Sequence, residues 1–297
     1  MMVKYHKICY LKLEEKTMNI TNKIHLLKHD FQISVSTEKK LPRFVNSIII
    51  FGKKITLIDT GVKDSYEKIF SYIKEQGRSI DEINLVILSH SHPDHIGSAN
   101  KIKTITGCKV MAHKGEQEWI EDLSVQYKSR MVPGFYELVN KSVKVDELVK
   151  DKQEIKLDED LTLQIIHSPG HSKGSINIFF KEDKILFTAD SIPLVNDIPN
   201  YDNFNELKSS LKTIKDFNDY NILLSSWMEP INNLTKIKEL IMNGEQYLIK
   251  LDMGVKQYYS SKEENTLENC KRLINNLGLP LVYINPIVHR AFQSHLE

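Results

Sequence analysis

The sequence SHSHPDH at residues 89–95 concentrates side chains that bind metal ions. Burying histidine and aspartate is costly unless they are paired or bound to metal. Because alternate residues at a strand end point the same way, His90 and His92 can supply two nitrogens to one metal ion. A helical turn after the proline brings Asp94 and His95 towards a neighbouring position, and two metal ions about 3.5–4 Å apart are an established hydrolytic arrangement. The spacing therefore predicts a metal centre.

Two later segments offer further ligands at strand ends. His171 follows a Pro-Gly turn after a predicted strand at residues 161–166. Such a turn can present the imidazole as a third ligand. Asp190 follows the apolar strand predicted at residues 184–187. A carboxylate there can bridge two cations and hold them together against their mutual repulsion.

The elements that must position these side chains follow an alternating β/α pattern. Apolar residues at helical spacing separate the strands, and residues 85–88, directly before the histidine motif, form an uninterrupted apolar run typical of a buried strand. Residues 114–150 differ, being charged with scattered aromatic residues, and are interpreted as a helical insertion over one edge of the core. From about residue 231 the pattern is helical. The remaining strands are predicted at residues 24–35, 45–51, 54–58, 109–112, 175–180 and 221–224.

The composition is that of a globular protein and argues against nucleic-acid-binding, membrane-spanning and secreted classes. The 297 residues are 41% hydrophobic and 27% charged, which is ordinary for a globular chain. A formal net charge of +1 gives no reason to expect a nucleic-acid or anionic-membrane partner. No apolar run approaches the roughly 20 residues of a membrane span. The N-terminal residues do not resemble a secretory signal, and Cys9, Cys108 and Cys270 lie far apart, so we expect a cytoplasmic protein.

In these motifs the chain resembles the metallo-β-lactamase superfamily of hydrolases. The matching pieces are Asp59-Thr60-Gly61, the HxHxDH motif, His171 and Asp190, each at the end of a core strand in the family's order. The resemblance implies an α/β fold, a four-layer αββα sandwich over residues 22–230 with the helical insertion at about 114–150. Residues 1–21 would then be an N-terminal extension and residues 231–297 a helical C-terminal extension.

The resemblance also implies roles for the site residues. The ligands of a first metal ion would be His90, His92 and His171. The ligands of a second would be Asp94 and His95, with Asp190 bridging the two ions. Asp59 would hydrogen-bond the ligand loop rather than bind metal. The resemblance implies one or two divalent ions, zinc in the first place, with iron or manganese as alternatives because such ligand sets accept all three.

One position departs from the family's pattern. The family usually ends its last core strand with a histidine that completes the second metal site, whereas this strand is followed by Ser226 and Trp227. A serine hydroxyl is a poor ligand and an indole is none. Glu229 is an alternative if the loop folds back. The departure predicts a second site that is weak, labile or absent.

Three functions are compatible with these residues. The first is a hydrolase in which metal-activated hydroxide attacks an ester, thioester, lactone or related bond of a small molecule, with Asp94 as the catalytic base that orients it. The second is a mononuclear iron enzyme of the persulfide dioxygenase type, and the third is a domain that binds metal without turnover. A nuclease is disfavoured by the neutral charge balance. The substrate and the oligomeric state are open.

Overall fold

Two β-sheets pack face to face in the computed structural model, which describes residues 17–34, 40–259 and 267–296. Within these residues the first sheet has seven strands in chain order: β1 (Thr17–Asn19), β2 (Ile24–Ser34), β3 (Lys40–Phe51), β4 (Ile55–Ile58), β5 (Ile83–Ile87), β6 (Lys109–His113) and β7 (Glu147–Val149). The second, in the spatial order β12-β11-β10-β9-β8, has five: β8 (Glu154–Asp158), β9 (Leu161–His167), β10 (Ile176–Phe180), β11 (Ile185–Phe187) and β12 (Ile222–Leu224).

Helices cover the outer faces of both sheets. The helices of the described residues are α1 (Ser65–Glu75), α2 (Pro93–Ile96), α3 (Ala99–Thr106), α4 (Lys114–Glu121), α5 (Leu123–Ser129), α6 (Phe135–Leu138), α7 (Phe204–Asp216), α8 (Leu234–Tyr258), α9 (Leu267–Leu277) and α10 (Pro286–Gln293). Three short 3₁₀ turns lie at Ile80–Glu82, Leu281–Tyr283 and Ser294–Leu296. In the part of the chain that the structure describes, no helix has the length and apolarity to cross a bilayer.

Three apolar clusters mark the three interfaces between these layers. One lies between the sheets and combines residues such as Ile48 and Ile87 with Ile165 and Phe187. A second joins the first sheet to α1 and α3, and a third joins the second sheet to α7 and the C-terminal helices. The predicted four-layer αββα sandwich is therefore confirmed.

The segment at residues 114–150 is only partly helical. It carries α4, α5 and α6 but ends in β7, which extends the first sheet in parallel with β6. A second strand, β8, was also not predicted. Both are short edge strands with charged residues, so the apolar pattern that marks a buried strand is weak in them.

Several expectations fall on residues outside the described ranges. These are Cys9, residue 35 at the end of the first predicted strand, and residues 1–16 of the predicted N-terminal extension. The two other cysteines, Cys108 and Cys270, are buried free thiols.

Candidate metal centre

Loops at one edge of the sandwich bring the predicted ligands together. The histidine motif follows β5, and Pro93 starts α2, where its missing N–H leaves no hydrogen bond unmade. His171 follows β9 through a turn in which Gly170 has a φ of +122°. A side chain at Gly170 would overlap the backbone of Leu207, so the close approach of helix α7 requires glycine there.

Three histidines form the first group of converging ring nitrogens. His90 Nε2 lies 3.0 Å from His92 Nδ1, and His171 Nε2 lies 2.8 Å from the same atom. All three side chains are almost completely buried. Their nitrogens lie close enough to one another to hold a single metal ion.

Asp190 stands between this group and a second one. Its Oδ2 lies 3.3 Å from His171 Nε2, and its Oδ1 lies 3.4 Å from His95 Nε2. His90, His95 and Asp190 form the second set of atoms with metal-ligand spacing. Asp94 is nearby, with its Oδ2 3.7 Å from His95 Nε2, but it is not part of that compact set.

Asp59 holds the histidine motif from behind. It follows β4 with a φ of +58°, and it is fully buried. Its Oδ1 accepts a hydrogen bond from the Ser89 backbone N–H at 2.7 Å, and its Oδ2 accepts from Ser89 Oγ at 2.6 Å. The same Oδ2 lies 2.8 Å from His95 Nδ1, which leaves His95 Nε2 facing the centre. A carboxylate on the far nitrogen of a ligating histidine fixes the orientation of the ring.

The electrostatics of the site favour a cation. Burial, with the charge of Arg130, holds the pKa of His92 well below its usual range, and burial lowers that of His171 to about 4. Burial also disfavours the charged form of His95, but Asp190, Asp94 and Asp59 together outweigh it and raise its pKa well above the usual value. Neutral imidazoles are the form that binds metal, and the carboxylates stabilise positive charge between them.

Unsatisfied atoms show that a metal fits this cluster. His95 Nε2 and Asp190 Oδ1 are buried and have no hydrogen-bond partner among the described residues. Buried polar atoms are normally hydrogen-bonded, so unpaired ones need an explanation. Nitrogen and carboxylate donors at this spacing are suited to zinc, iron or manganese, and an ion at the cluster would satisfy both atoms.

Comparison with known proteins identifies the family. The family model described as the metallo-beta-lactamase superfamily matches residues 41–240. The chain belongs to the metallo-beta-lactamase superfamily. The resemblance seen in the sequence is thereby confirmed.

Individual members of the superfamily are similar over shorter stretches. The chain is 31% identical over 123 residues to "Probable metallo-hydrolase YqgX" of Bacillus subtilis, covering 41% of this chain and 54% of that protein. It is 29% identical over 147 residues to "Probable metallo-hydrolase MJ0888" of Methanocaldococcus jannaschii, covering 50% and 66%. The chain thus spans between half and two thirds of the length of these curated relatives.

The fold agrees over a longer range than the sequence does. The crystal structure of the metallo-beta-lactamase family protein TTHA1429 from Thermus thermophilus superposes with a TM-score of 0.68. It covers 90% of this chain and 91% of its own, at 16% sequence identity. At this identity the likeness establishes the superfamily fold alone.

The position at which the superfamily usually has a further histidine is buried. Ser226 is fully buried, and its Oγ has no hydrogen-bond partner among the described residues. Its backbone N–H donates to the carbonyl of Ala189, next to Asp190. Glu229 is exposed and belongs to neither group of converging ligand atoms. Ser226 therefore lies beside the second group without supplying a nitrogen.

Glu116 is a buried carboxylate that belongs to no motif of the sequence. It belongs to α4 and is 1% exposed. Its Oε2 accepts hydrogen bonds from the backbone N–H (2.9 Å) and the hydroxyl of Ser91, and its Oε1 accepts from Ser172 Oγ (2.7 Å) and the Gly174 N–H (2.5 Å). One carboxylate thereby ties the loop of His90 and His92 to the loop of His171. Its place one helical turn before the buried Ile120 was the available signal.

A pocket opens beside the cluster. His92, Asp94, His171 and Asp190 line it together with mostly apolar side chains from several parts of the fold. These apolar side chains include Phe31, Leu41, Val132, Leu194, Trp227 and Ile284. Strands β2 and β3, the 114–150 segment and the C-terminal region all contribute, so residues distant in sequence line the space next to the candidate ligands.

Proposed function

We propose that this protein is a metal-dependent hydrolase that cleaves an ester, thioester, lactone or related bond of a small molecule. The observation that carries the proposal is the pair of adjoining ligand groups, His90, His92 and His171 in one and His90, His95 and Asp190 in the other, beside a largely apolar pocket. His90, His92 and His171 would hold one metal ion, and His95 with Asp190 would form a second position that is weak in the wild type because Ser226 supplies no nitrogen there. A divalent metal bound there lowers the pKa of a coordinated water towards about 7 and polarises the substrate oxygen.

The chain's own residues supply position and proton transfer. Asp94 lines the pocket beside the cluster, and burial raises the pKa of its carboxyl group. A carboxylate with a raised pKa is a better general base, so we assign Asp94 to accept the proton of the attacking water. Asp59 keeps His95 in one orientation, and the apolar lining of the pocket would contact the hydrocarbon part of the substrate.

The proposed units of the chain follow from the same site. We assign residues 22–230 as the catalytic unit and residues 231–297 as a helical cap, because Tyr247 and Ile284 line the pocket while the candidate ligands all lie before residue 191. Zinc is the ion we expect. The concave, largely apolar pocket supports a small molecule as substrate rather than a nucleic acid.

The test is the effect of replacing one ligand histidine. We expect His171→Ala to abolish metal-dependent hydrolysis of a panel of 4-nitrophenyl esters, thioesters and lactones, measured after chelation and re-addition of zinc. His167→Ala is the matched control, because His167 stacks on His113 at 4.1 Å and lies outside both groups of converging ligands. Near-full zinc-dependent turnover by His171→Ala would refute the assignment.

One observation favours a second candidate. His90, His95 and Asp190 make a set of two histidines and one carboxylate, the composition of mononuclear iron sites in oxygenases. Elemental analysis of anaerobically purified protein separates the two functions. One iron ion per chain with oxygen consumption on a persulfide substrate would support the oxygenase, whereas zinc with hydrolysis excludes it.

A further inference from the structure

The pocket beside the candidate metal centre contains one guanidinium without a carboxylate of its own. Besides Asp94 and Asp190, the charged residues lining the described pocket are Arg43, Asp197 and Arg130. Arg43 is paired, with its Nη2 3.2 Å from Asp197 Oδ1. Arg130 is therefore the charged group whose role in the pocket needs an explanation.

Arg130 is held in place but incompletely neutralised. It caps α5, is 4% exposed, and donates to the Asn200 side chain. Its Nε lies 3.7 Å from Asp202 Oδ1 and has no hydrogen-bond partner among the described residues. The same Asp202 oxygen accepts a hydrogen bond from Arg290 Nε at 2.9 Å. Two guanidinium groups share one carboxylate, so the group carries a net charge of +1.

The field of this charge extends into the pocket. Arg130 lines the pocket together with His92 and Asp94, so a ligand bound beside the histidine cluster lies within reach of its charge. A buried charge is costly unless it is paired. Among the described residues Arg130 has one ion pair, at 3.7 Å to the Asp202 carboxylate that it shares with Arg290, while Asp94 and Asp190 act on it from across the pocket without an ion pair to it. An anion in the pocket would supply the missing partner. Guanidinium groups bind carboxylates with a matching fork of donors.

We propose that Arg130 binds a carboxylate on an otherwise apolar substrate. This inference rests on the proposed hydrolase function, since it names the substrate class of the same site. The apolar lining would take the hydrocarbon part, and the reacting bond would lie at the histidine cluster. The substrate class is then an ester or thioester whose hydrocarbon chain ends in an acid group.

Binding of matched amides tests the inference without turnover. The probes are the half-amides of dicarboxylic acids with four to eight carbons, each compared with the neutral amide of equal chain length. Affinity is measured by calorimetry on the zinc-loaded protein. We expect the wild type to bind the best half-amide about 10- to 100-fold more tightly than its neutral partner, the worth of a charge-assisted hydrogen bond. Equal affinities at every chain length would overturn the inference.

Substitutions of the two pocket arginines show which of them causes the preference for the half-amide over the neutral amide. Arg130→Met should abolish it, and Arg130→Lys, which keeps the charge without the fork, should retain part of it. Arg290 remains as a partner for Asp202 in both variants, which favours correct folding. Arg43→Met is the matched control and should keep the preference, because the Arg43 guanidinium is already paired with Asp197. If Arg130→Met lowers stability but leaves the preference unchanged, Arg130 is only structural and the inference is wrong.

Hydrolysis of the corresponding 4-nitrophenyl esters separates this inference from the proposed function. Turnover with an Arg130-dependent preference for the acid-bearing ester supports both. Turnover of both ester types at equal rates, with equal binding of the amides, overturns the Arg130 role and leaves the hydrolase. A preference in amide binding without hydrolysis of any ester supports Arg130 as an anion site and contradicts the hydrolase.

Discussion

Replacing Glu116 by glutamine tests whether the 114–150 segment organises the candidate metal centre. The carboxylate accepts from four donors, two on Ser91 and one each on Ser172 and Gly174. A glutamine offers a single oxygen, so it can accept at one end only, and its amide group meets donors at the other. Because Ser172 Oγ also lies 2.8 Å from Ser175 Oγ, its hydroxyl can turn away. The backbone N–H of Gly174 has a fixed direction, so it cannot turn to another acceptor.

The cost of Glu116→Gln follows from these contacts. A buried N–H without an acceptor costs about 1–3 kcal/mol, and the remaining hydrogen bonds lose the assistance of the negative charge. We therefore expect the free energy of unfolding to fall by about 2–4 kcal/mol. The two loops that Glu116 joins carry His92 and His171, so we also expect zinc affinity to fall about 10- to 100-fold, as for other groups that orient ligands.

Two measurements check this prediction. Urea denaturation of the chelated protein gives the change in stability, and titration of zinc against a chromophoric chelator gives the change in affinity. Glu118→Gln is the control, since it removes an exposed carboxylate from the same helix α4. Zinc affinity of Glu116→Gln equal to that of Glu118→Gln would refute the reasoning, because the loops would then hold their geometry without the carboxylate.

Two further predictions concern a ligand position and a buried histidine. Ser226→His should raise the zinc content from one to two ions per chain by elemental analysis, because it places an imidazole beside the second group; two ions in the wild type would contradict this. His295 stacks on Phe204 and hydrogen-bonds Tyr201 and Asp252, and burial lowers its pKa from 6.5 to about 4. As the pH falls, His295 is therefore protonated in the unfolded state before it is protonated in the folded state. The free energy of unfolding has its full value above about pH 6.5 and declines towards pH 4, by up to about 3 kcal/mol. Urea denaturation at several pH values should show that the free energy of unfolding declines less steeply for His295→Gln than for the wild type. Parallel declines in the two proteins would contradict the prediction that His295 causes this pH dependence.

The sequence predicts the parts of the site that lie close together along the chain. The HxHxDH motif follows a run of apolar residues, so its place at the end of a buried strand could be read directly. His171 and Asp190 were found because each also follows a strand. The pairing of strands then brings these loops to one edge, where the described residues form two adjoining groups of ligand atoms with Asp94 beside them.

Glu116 and Arg130 could not be found in this way. Both lie in the 114–150 segment, where charged residues are frequent and a buried charge looks like a solvated one. Their partners, such as Ser172 and Asp202, are more than 50 residues away in sequence. The helical spacing of Glu116 from Ile120 indicates a buried face of α4, but it does not specify which loops that face meets; only the packing of α4 and α5 against the strand-end loops makes these contacts. The edge strands β7 and β8 were not predicted for a related reason, since they bury few side chains and so lack a clear apolar pattern.

The segments that line the pocket differ in whether they also hold the candidate metal ligands in place. Residues of strands β2 and β3 and residues 282–287 line it without contributing a candidate ligand. Evolution or an engineer could exchange them to retarget the enzyme while its chemistry stays intact. The 114–150 segment has no such freedom, because Glu116 and the Gln126 amide, which donates to the Ser91 carbonyl at 2.6 Å, fasten it to the histidine loops. Substitutions in the first two parts of the lining would therefore change substrate selectivity alone. Substitutions in the 114–150 segment would change both the pocket and the position of the histidine loops.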